Sequence, residues 1–567
     1  MLLSHNTNWI KIEIGLTMDN VRKKKTTSEL KSQGQQLRRA ILEKTAKDGG
    51  HVSSPLGAIE IIQALMNVFD FTQDKITFDT GHQMHAYKLL TGRTAAFATM
   101  DKHGGIGEYA NIHESPYDFF TGGHCGTAIS AALGYAVNHP EYKSIAFIGD
   151  GAMTGGQPYE ALNQAGALGS NLLIVYNDND YSVTENTGFL HAKKRLKKFS
   201  QSLGFEYIGV LDGHNTRALI RALRAIKIKK HPIFLHIKTL KGKGYQPAED
   251  NPSGFHLVEP FELKNGTLRP PKDRRFTNAV IKIAHKLKAR YPQLHMVSPA
   301  AAHSSGLLEL KEHYPNHVFD TGINEQHCVT FSAGLALNKN KVICFIPATF
   351  LPRALDQIID ICLLKVPMVF VLLKPGIAAT GPTHQGIYTF PLLNMLPNAQ
   401  LYNPANLTEF EDLLTSAIDG DGPIFIQKPK EDIKLPSGDN IVEVRDGKRL
   451  TVISLGNTLS KALKLSEKVD GVRIVQVKKM VPLNMRELIA QMRKTKALLV
   501  LEDGLVKSGI GQHIVSRLAK TMPLAHDILG VDDIFPGIGT LDEVYQDIGL
   551  SDEHVLAVAK RLIAAAQ

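Results

Sequence analysis

Cysteine and tryptophan are scarce in this chain, with four Cys and one Trp among 567 residues. Cys125, Cys328, Cys344 and Cys362 lie far apart and form no Cys-x-x-Cys pair. That spacing excludes a disulfide framework and a thiolate zinc site, and it points to reduced thiols in a cytoplasmic protein. Long apolar runs are missing too. No stretch approaches the roughly 18 uninterrupted apolar residues of a membrane helix. Residues 1–16 mix His, Asn, Lys and Glu into their apolar content, unlike a signal peptide, and Met18 is an alternative start. There is no low-complexity tract and no short-period repeat. The net charge of +10 is scattered in short runs such as Arg22-Lys23-Lys24-Lys25. Without an aromatic-basic motif, it suits anionic metabolites better than nucleic acid.

What is present describes a globular protein. Apolar residues make up 43% and charged residues 21%, and the length exceeds what one core organises, so three domains are expected. Short apolar runs alternate with helical patterns, which is the mark of parallel sheets buried on both faces. Strands are expected at 144–148, 172–176 and 233–237, at 342–346 and 368–372, and at 450–454, 472–475 and 497–501. The fold class is therefore α/β, with three successive domains and mostly parallel sheets. The expected boundaries are an N-terminal extension at 1–29, domains at 30–268, 277–437 and 438–567, and a polar linker at 269–276.

One constellation carries chemistry. An apolar strand ends at Gly149-Asp150-Gly151, a helix follows over 158–168, and a second strand ends at Asn177-Asp178-Asn179. Parallel strands deliver their C-terminal ends to one edge, where ligands bind in open α/β sheets. Asp150 and Asn179 supply hard oxygen ligands for one Mg²⁺, with the Tyr181 carbonyl as a third; such an ion is usually completed by phosphate and water. A lone Gly-Asp-Gly is more often a plain turn. Its place between two strands, with a second amide and carboxylate cluster downstream, decides for a diphosphate-bound metal.

This arrangement is the motif of thiamine-diphosphate enzymes. The chain resembles the 1-deoxy-D-xylulose-5-phosphate synthase family from about residue 37 to its end. The segments that carry the resemblance include Gly50-His51-Val52-Ser53-Ser54, Asp79-Thr80-Gly81-His82-Gln83 and Gly123-His124-Cys125-Gly126-Thr127. Further on come Thr184-Glu185-Asn186, Asp212-Gly213-His214, the 241–249 run, Asn324-Glu325-Gln326-His327, Thr349-Phe350-Leu351-Pro352-Arg353 and Thr383-His384-Gln385-Gly386. The resemblance implies thiamine diphosphate and Mg²⁺ as cofactors, held between the first two domains of a homodimer with a transketolase-type C-terminal domain. It implies Glu325 as the carboxylate on the N1′ nitrogen of the aminopyrimidine, with Phe350 stacking on that ring. Gly123, His124, Gly151, Ala152, Asn179, His82 and Lys241 would contact the cofactor.

Near-neutral histidines suit proton transfer. His51 and His384 are the expected proton-transfer and substrate-orienting pair, joined by His82 and His256. Arg353, Lys374 and Lys430 would face the acceptor. The implied reaction removes carbon dioxide from pyruvate and adds the two-carbon remainder to glyceraldehyde 3-phosphate. Its product is the starting compound for isoprenoid, thiamine and pyridoxal phosphate synthesis.

The departures from the family cluster in the substrate pocket. Leu373-Lys374-Pro375-Gly376 replaces Asp-Arg-Ala-Gly, and Lys428-Pro429-Lys430-Glu431 replaces Tyr-Pro-Arg-Gly. Lysine keeps the charge but loses the planar fork that grips phosphate. Pro347 stands for a Tyr, Thr380 or Gly381 for an Asp, and Asp101 for an Arg, and the stretch after Asn186 is some forty residues short. Two alternatives follow: a related carboligase or transketolase with another acceptor or ketose donor, and a non-catalytic cofactor-binding regulator. The retained Glu325 speaks against the second.

Overall fold

The computed structural model describes residues 24–186, 188, 193–269, 273–435, 440–519 and 521–566. They fall into two compact units, Met1–Asp101 with Gly105–Pro270, and Lys102–Gly104 with Pro271–Gln567. Among the described residues no helix is long and apolar enough to cross a membrane. The expected extension lies outside the described residues up to 23. The first described helix, Thr27–Asp48, starts at a capping box in which Thr26 and Glu29 satisfy each other's backbone N–H groups.

In the first unit, β1 (Gly50–His51) pairs antiparallel with β7 (Leu257–Val258). The main sheet holds β2 (Lys75–Phe78), β3 (Ser144–Gly149), β4 (Leu172–Asp178), β5 (Glu206–Asp212) and β6 (Ile233–Lys238), in the order β2-β3-β4-β6-β5, all parallel. Successive residues of β3 and β4 enter different cores. Ile145, Phe147, Leu173 and Val175 join one cluster, and Ala146, Ile148, Leu172 and Ile174 the other. That period of two, apolar on both faces, produced the continuous apolar runs in the sequence.

The second unit contains two sheets. The seven-stranded sheet comprises β8 (His295–Ser298), β9 (Val318–Asp320), β10 (Val342–Pro347), β11 (Val369–Leu373), β12 (Gln400–Tyr402), β13 (Ile424–Gln427) and, antiparallel at one edge, β17 (Lys479–Val481). The five-stranded sheet comprises β14 (Ile441–Arg445), β15 (Leu450–Ser454), β16 (Val472–Val477), β18 (Ala497–Leu505) and β19 (Ala525–Val531), parallel except at the β14 edge. Phe370 and Phe425 of the first sheet share one apolar cluster with Val475 and Val500 of the second. This common core makes the two sheets one compact unit. Every strand expected from the sequence is present, and the α/β class with mostly parallel sheets holds.

Candidate active site

The two units each carry a group of functional side chains. In the first, β3 ends at Gly149 and β4 at Asp178, neighbours in register, with Gly149 opposite Asn177. Asp150 is 2% exposed. One carboxylate oxygen accepts from Gly151 N at 3.2 Å and the other from Asn179 N at 3.2 Å. Asn179 Oδ1 in turn accepts from Tyr181 N at 3.1 Å. A buried carboxylate is a hard oxygen donor of the kind that binds Mg²⁺. A Cβ added at Gly151 would lie 2.5 Å from Ser182 Cβ. The glycine is therefore required for this close turn. Lys241, 2% exposed, donates from Nζ to Ser182 O at 2.6 Å and approaches His256 Nδ1 at 3.3 Å. Burial pulls its ammonium down to about 8, with the Asp150 charge opposing.

Beside them stands a histidine cluster. The His51, His82 and His256 rings lie 4.9–5.5 Å apart between centroids. Burial, and then the charges around them, push His82 and His256 well below the usual imidazole range. Glu108 completes the cluster and was not foreseen from the sequence. It is buried, its Oε1 lies 2.6 Å from His51 Nδ1 and it accepts from His51 N at 3.3 Å. His85 Nε2 is 3.4 Å from the same oxygen. Burial acts upward on Glu108, but the His51 and His85 contacts prevail and hold its carboxyl well below the usual range. An ionised carboxylate only accepts, so His51 Nδ1 carries the proton of this contact.

Asp101 has φ +62°. It keeps an exposed surface, yet the surrounding protein and the Glu108 charge push its carboxyl up to about 6. His124 follows Gly123, whose N–H donates to Thr80 O at 2.7 Å. Asp79, quoted above for its motif but given no role, accepts from Gly126 and Ala128 N–H groups and anchors that loop.

In the second unit, Glu325 opens the helix Glu325–Leu337 and is 1% exposed. Its Oε2 is buried with no hydrogen-bond partner among the described residues, and Arg353 Nε lies 3.6 Å away. Burial raises its pKa, with Arg353 opposing. Phe350 and His384 meet edge to face at 5.8 Å, and Thr383 Oγ1 lies 2.9 Å from His384 Nδ1. Lys374 follows β11 at φ +48°; it keeps an exposed surface, yet desolvation by the surrounding protein lowers its pKa. Lys430 Nζ lies 2.9 Å from Asp503 Oδ2 and donates to Ile377 O at 2.7 Å.

These residues fit the implied cofactor. Orphaned buried oxygens are rare in folded proteins, and Glu325 Oε2 is one, suited to a protonated ring nitrogen. Asp150 and Asn179 bring side-chain oxygens, of the kind Mg²⁺ prefers, to the ends of adjacent strands, and Lys241 adds positive charge near Asp150.

Family models agree with this geometry. The model of 1-deoxy-D-xylulose-5-phosphate synthase matches residues 16–201 and 191–239, the transketolase pyrimidine-binding domain 273–436, and the transketolase C-terminal domain 439–555. Curated relatives named 1-deoxy-D-xylulose-5-phosphate synthase match over nearly the whole chain. The Syntrophotalea carbinolica protein is 32% identical, covering 95% of each chain. The Carboxydothermus hydrogenoformans protein is 33% identical, covering 96% of this chain and 97% of its own. The Myxococcus xanthus protein is 35% identical, covering 94% and 95%. The chain belongs to the 1-deoxy-D-xylulose-5-phosphate synthase family.

Proposed function

We propose that this chain is a transketolase-type transferase that joins pyruvate to glyceraldehyde 3-phosphate, releasing carbon dioxide and forming 1-deoxy-D-xylulose 5-phosphate, with thiamine diphosphate and Mg²⁺ as cofactors. The observation that carries the proposal is the buried Oε2 of Glu325, without a hydrogen-bond partner among the described residues, in a chain matched over 95% of its length by a synthase. A non-catalytic binder has no need of it.

The chemistry that bound thiamine diphosphate supplies is an electron sink for the carbon left behind by carbon dioxide. The protein's own groups do the rest. Asp150, Asn179 and the Tyr181 carbonyl would hold the metal, while Gly123, His124, Gly151, Ala152 and Lys241 would hold the diphosphate. Glu325, its pKa raised by burial, would hold a proton toward the ring nitrogen, and Phe350 would supply an apolar face for that ring. His82 and His256, neutral through burial, donate or accept hydrogen bonds at the reacting carbonyl. His51, its tautomer set by Glu108, and His384 move protons and orient the substrates. Arg353 and Lys374 face the acceptor.

The proposal extends to three domains at 30–268, 277–437 and 438–567, and to a cytoplasmic homodimer. A cytoplasmic setting fits the buried Cys328 and Cys344 thiols, whose sulfurs are in hydrogen-bond contact at 3.7 Å and not joined by a disulfide. For the dimer, each unit has an apolar helix with an open face. On the helix Ala128–Asn138, Val137 is 57% exposed and a Cβ at Gly134 would meet nothing within 4 Å. On the helix Glu325–Leu337 the same holds of Leu337, at 57%, and Gly334. A helical glycine costs roughly 1 kcal/mol against alanine, and close approach of a second copy accounts for it.

The test is purified protein with Mg²⁺, thiamine diphosphate, pyruvate and glyceraldehyde 3-phosphate. Pyruvate consumption, carbon dioxide release and a product of the mass of 1-deoxyxylulose 5-phosphate are expected. No pyruvate turnover with any aldehyde would refute the proposal. Turnover of xylulose 5-phosphate instead would assign transketolase chemistry.

A further inference from the structure

Three lysines, Lys374, Lys428 and Lys430, stand just beyond the C-terminal ends of the adjacent strands β11 and β13. Two of them are engaged by the protein itself. Lys428 Nζ sits over the Phe276 ring, 4.6 Å from its centroid. Lys430 Nζ has three contacts, Ile377 O at 2.7 Å, Asp503 Oδ1 at 3.0 Å and Asp503 Oδ2 at 2.9 Å. The first two are hydrogen bonds and the third completes an ion pair with the same carboxylate, so the charge of Lys430 is already matched within the protein.

Asp503 belongs to β18 of the C-terminal sheet, and its side chain is 3% exposed. Besides Lys430 it accepts from Ile377 N at 2.9 Å and from Asn457 Nδ2 at 2.9 Å. Asn457 Oδ1 closes the ring by accepting from Lys430 N at 3.1 Å. The turn at 374–377 is seated directly on this carboxylate. A Cβ at Gly376 would come 1.7 Å from Asp503 Oδ2, and Gly376 has φ +71°. Only glycine fits there. Lys374, at the head of the same turn, has no hydrogen-bond or ion-pair partner among the described residues.

We infer that Asp503 is a positioning residue that seats the 374–377 turn, and that Lys430 is its counter-ion rather than a ligand of the acceptor phosphate. Lys374 is then the lysine this edge offers to the acceptor's anionic group. The inference rests on the acceptor binding proposed above, and it gives the C-terminal sheet a direct part in the site. The physical reason is desolvation: a buried carboxylate stripped of its cation is strongly unfavourable. Lys430 is therefore committed to Asp503 whether or not substrate is present.

The test uses full-length holoenzyme and two acceptors, glyceraldehyde 3-phosphate and unphosphorylated glyceraldehyde, with KM for each and for pyruvate. Lys374→Met should raise KM for the phosphorylated acceptor by about tenfold or more, the worth of one charge-assisted hydrogen bond, and leave KM for glyceraldehyde and pyruvate close to wild type. Lys430→Met should impair both acceptors alike. Lys430→Met combined with Asp503→Asn removes both charges and should recover part of that loss, and the same cycle in melting temperature should show coupling between the two positions. A Lys430→Met loss confined to the phosphorylated acceptor, with no recovery in the double variant, would overturn the inference. If wild type turns over no aldehyde, the proposed function fails, and the melting-temperature cycle still decides: coupling supports the Lys430–Asp503 assignment, and additivity overturns it.

Discussion

Glu325 and Glu108 are two buried carboxyls driven in opposite directions by their surroundings. Burial outweighs both Arg353 at 3.6 Å and a backbone hydrogen bond at Glu325, so its pKa is raised. Glu108 has two histidines against it, so its pKa falls. Their predicted losses differ accordingly. Glu325→Gln should cut kcat by about 10²- to 10⁴-fold, the usual range for general acid–base catalysis, with melting temperature and cofactor affinity near wild type. An active variant would remove Glu325 from its assigned role. Glu108→Gln should lower kcat by roughly 10- to 100-fold, as loss of an orienting partner does at other histidine sites. It also has a signature in acid. A carboxyl with a depressed folded pKa stabilises above its unfolded value of about 4.3 and loses that contribution as pH falls through the lower folded value. Thermal melts of wild type and Glu108→Gln should therefore converge as pH is lowered from about 6 to about 3. A gap that stays constant would show that Glu108 is not ionised in the fold.

At the scale of elements, strand ends and helix starts do most of the positioning. The close turn after β3 leaves no room for a side chain at Gly151, where a Cβ would meet Ser182 at 2.5 Å. Gly151→Ala should cost about 1–3 kcal/mol, the range for overpacking, and weaken Mg²⁺-dependent cofactor binding, both readable by thermal shift with and without cofactor. In the C-terminal sheet, Glu502 accepts from Ile510 and Gly511 N–H groups at the start of the helix Ile510–Leu518. Burial nevertheless pushes its carboxyl up to about 8, with those two bonds opposing. Between about pH 4.3 and that value the folded chain binds more protons than the unfolded one, so stability falls as pH rises. Between about pH 5 and about pH 9, Glu502→Gln should lose less melting temperature than wild type. Equal losses in both proteins would contradict the raised value.

For the whole molecule, assembly is the open physical question that the apolar surfaces raise. Leu337→Asp places a charge on an exposed apolar helix position, outside the residues assigned to chemistry. It should shift the protein from dimer to monomer in sedimentation, since a desolvated, unpaired charge at an interface is strongly unfavourable. A dimer of unchanged stability would place the interface elsewhere.

Much of this molecule was legible in one dimension. Apolar runs of strand length, the Gly149-Asp150-Gly151 turn and the order of the motifs are local properties, because buried parallel strands and a diphosphate turn impose their pattern on consecutive residues. They determined the α/β class, the sheets and the place of Glu325. Glu108 and Asp503 carry no such mark. Glu108 meets His51 across 57 residues, and Asp503 meets Lys430 across 73. No spacing rule links such partners, and each looks like an ordinary surface acid until its burial is known. The tertiary structure alone decided that one sets the tautomer of His51 and that the other takes up the charge of Lys430. Desolvation is the reason in both cases, because a carboxylate removed from water must find its cation or donor wherever the fold has placed one.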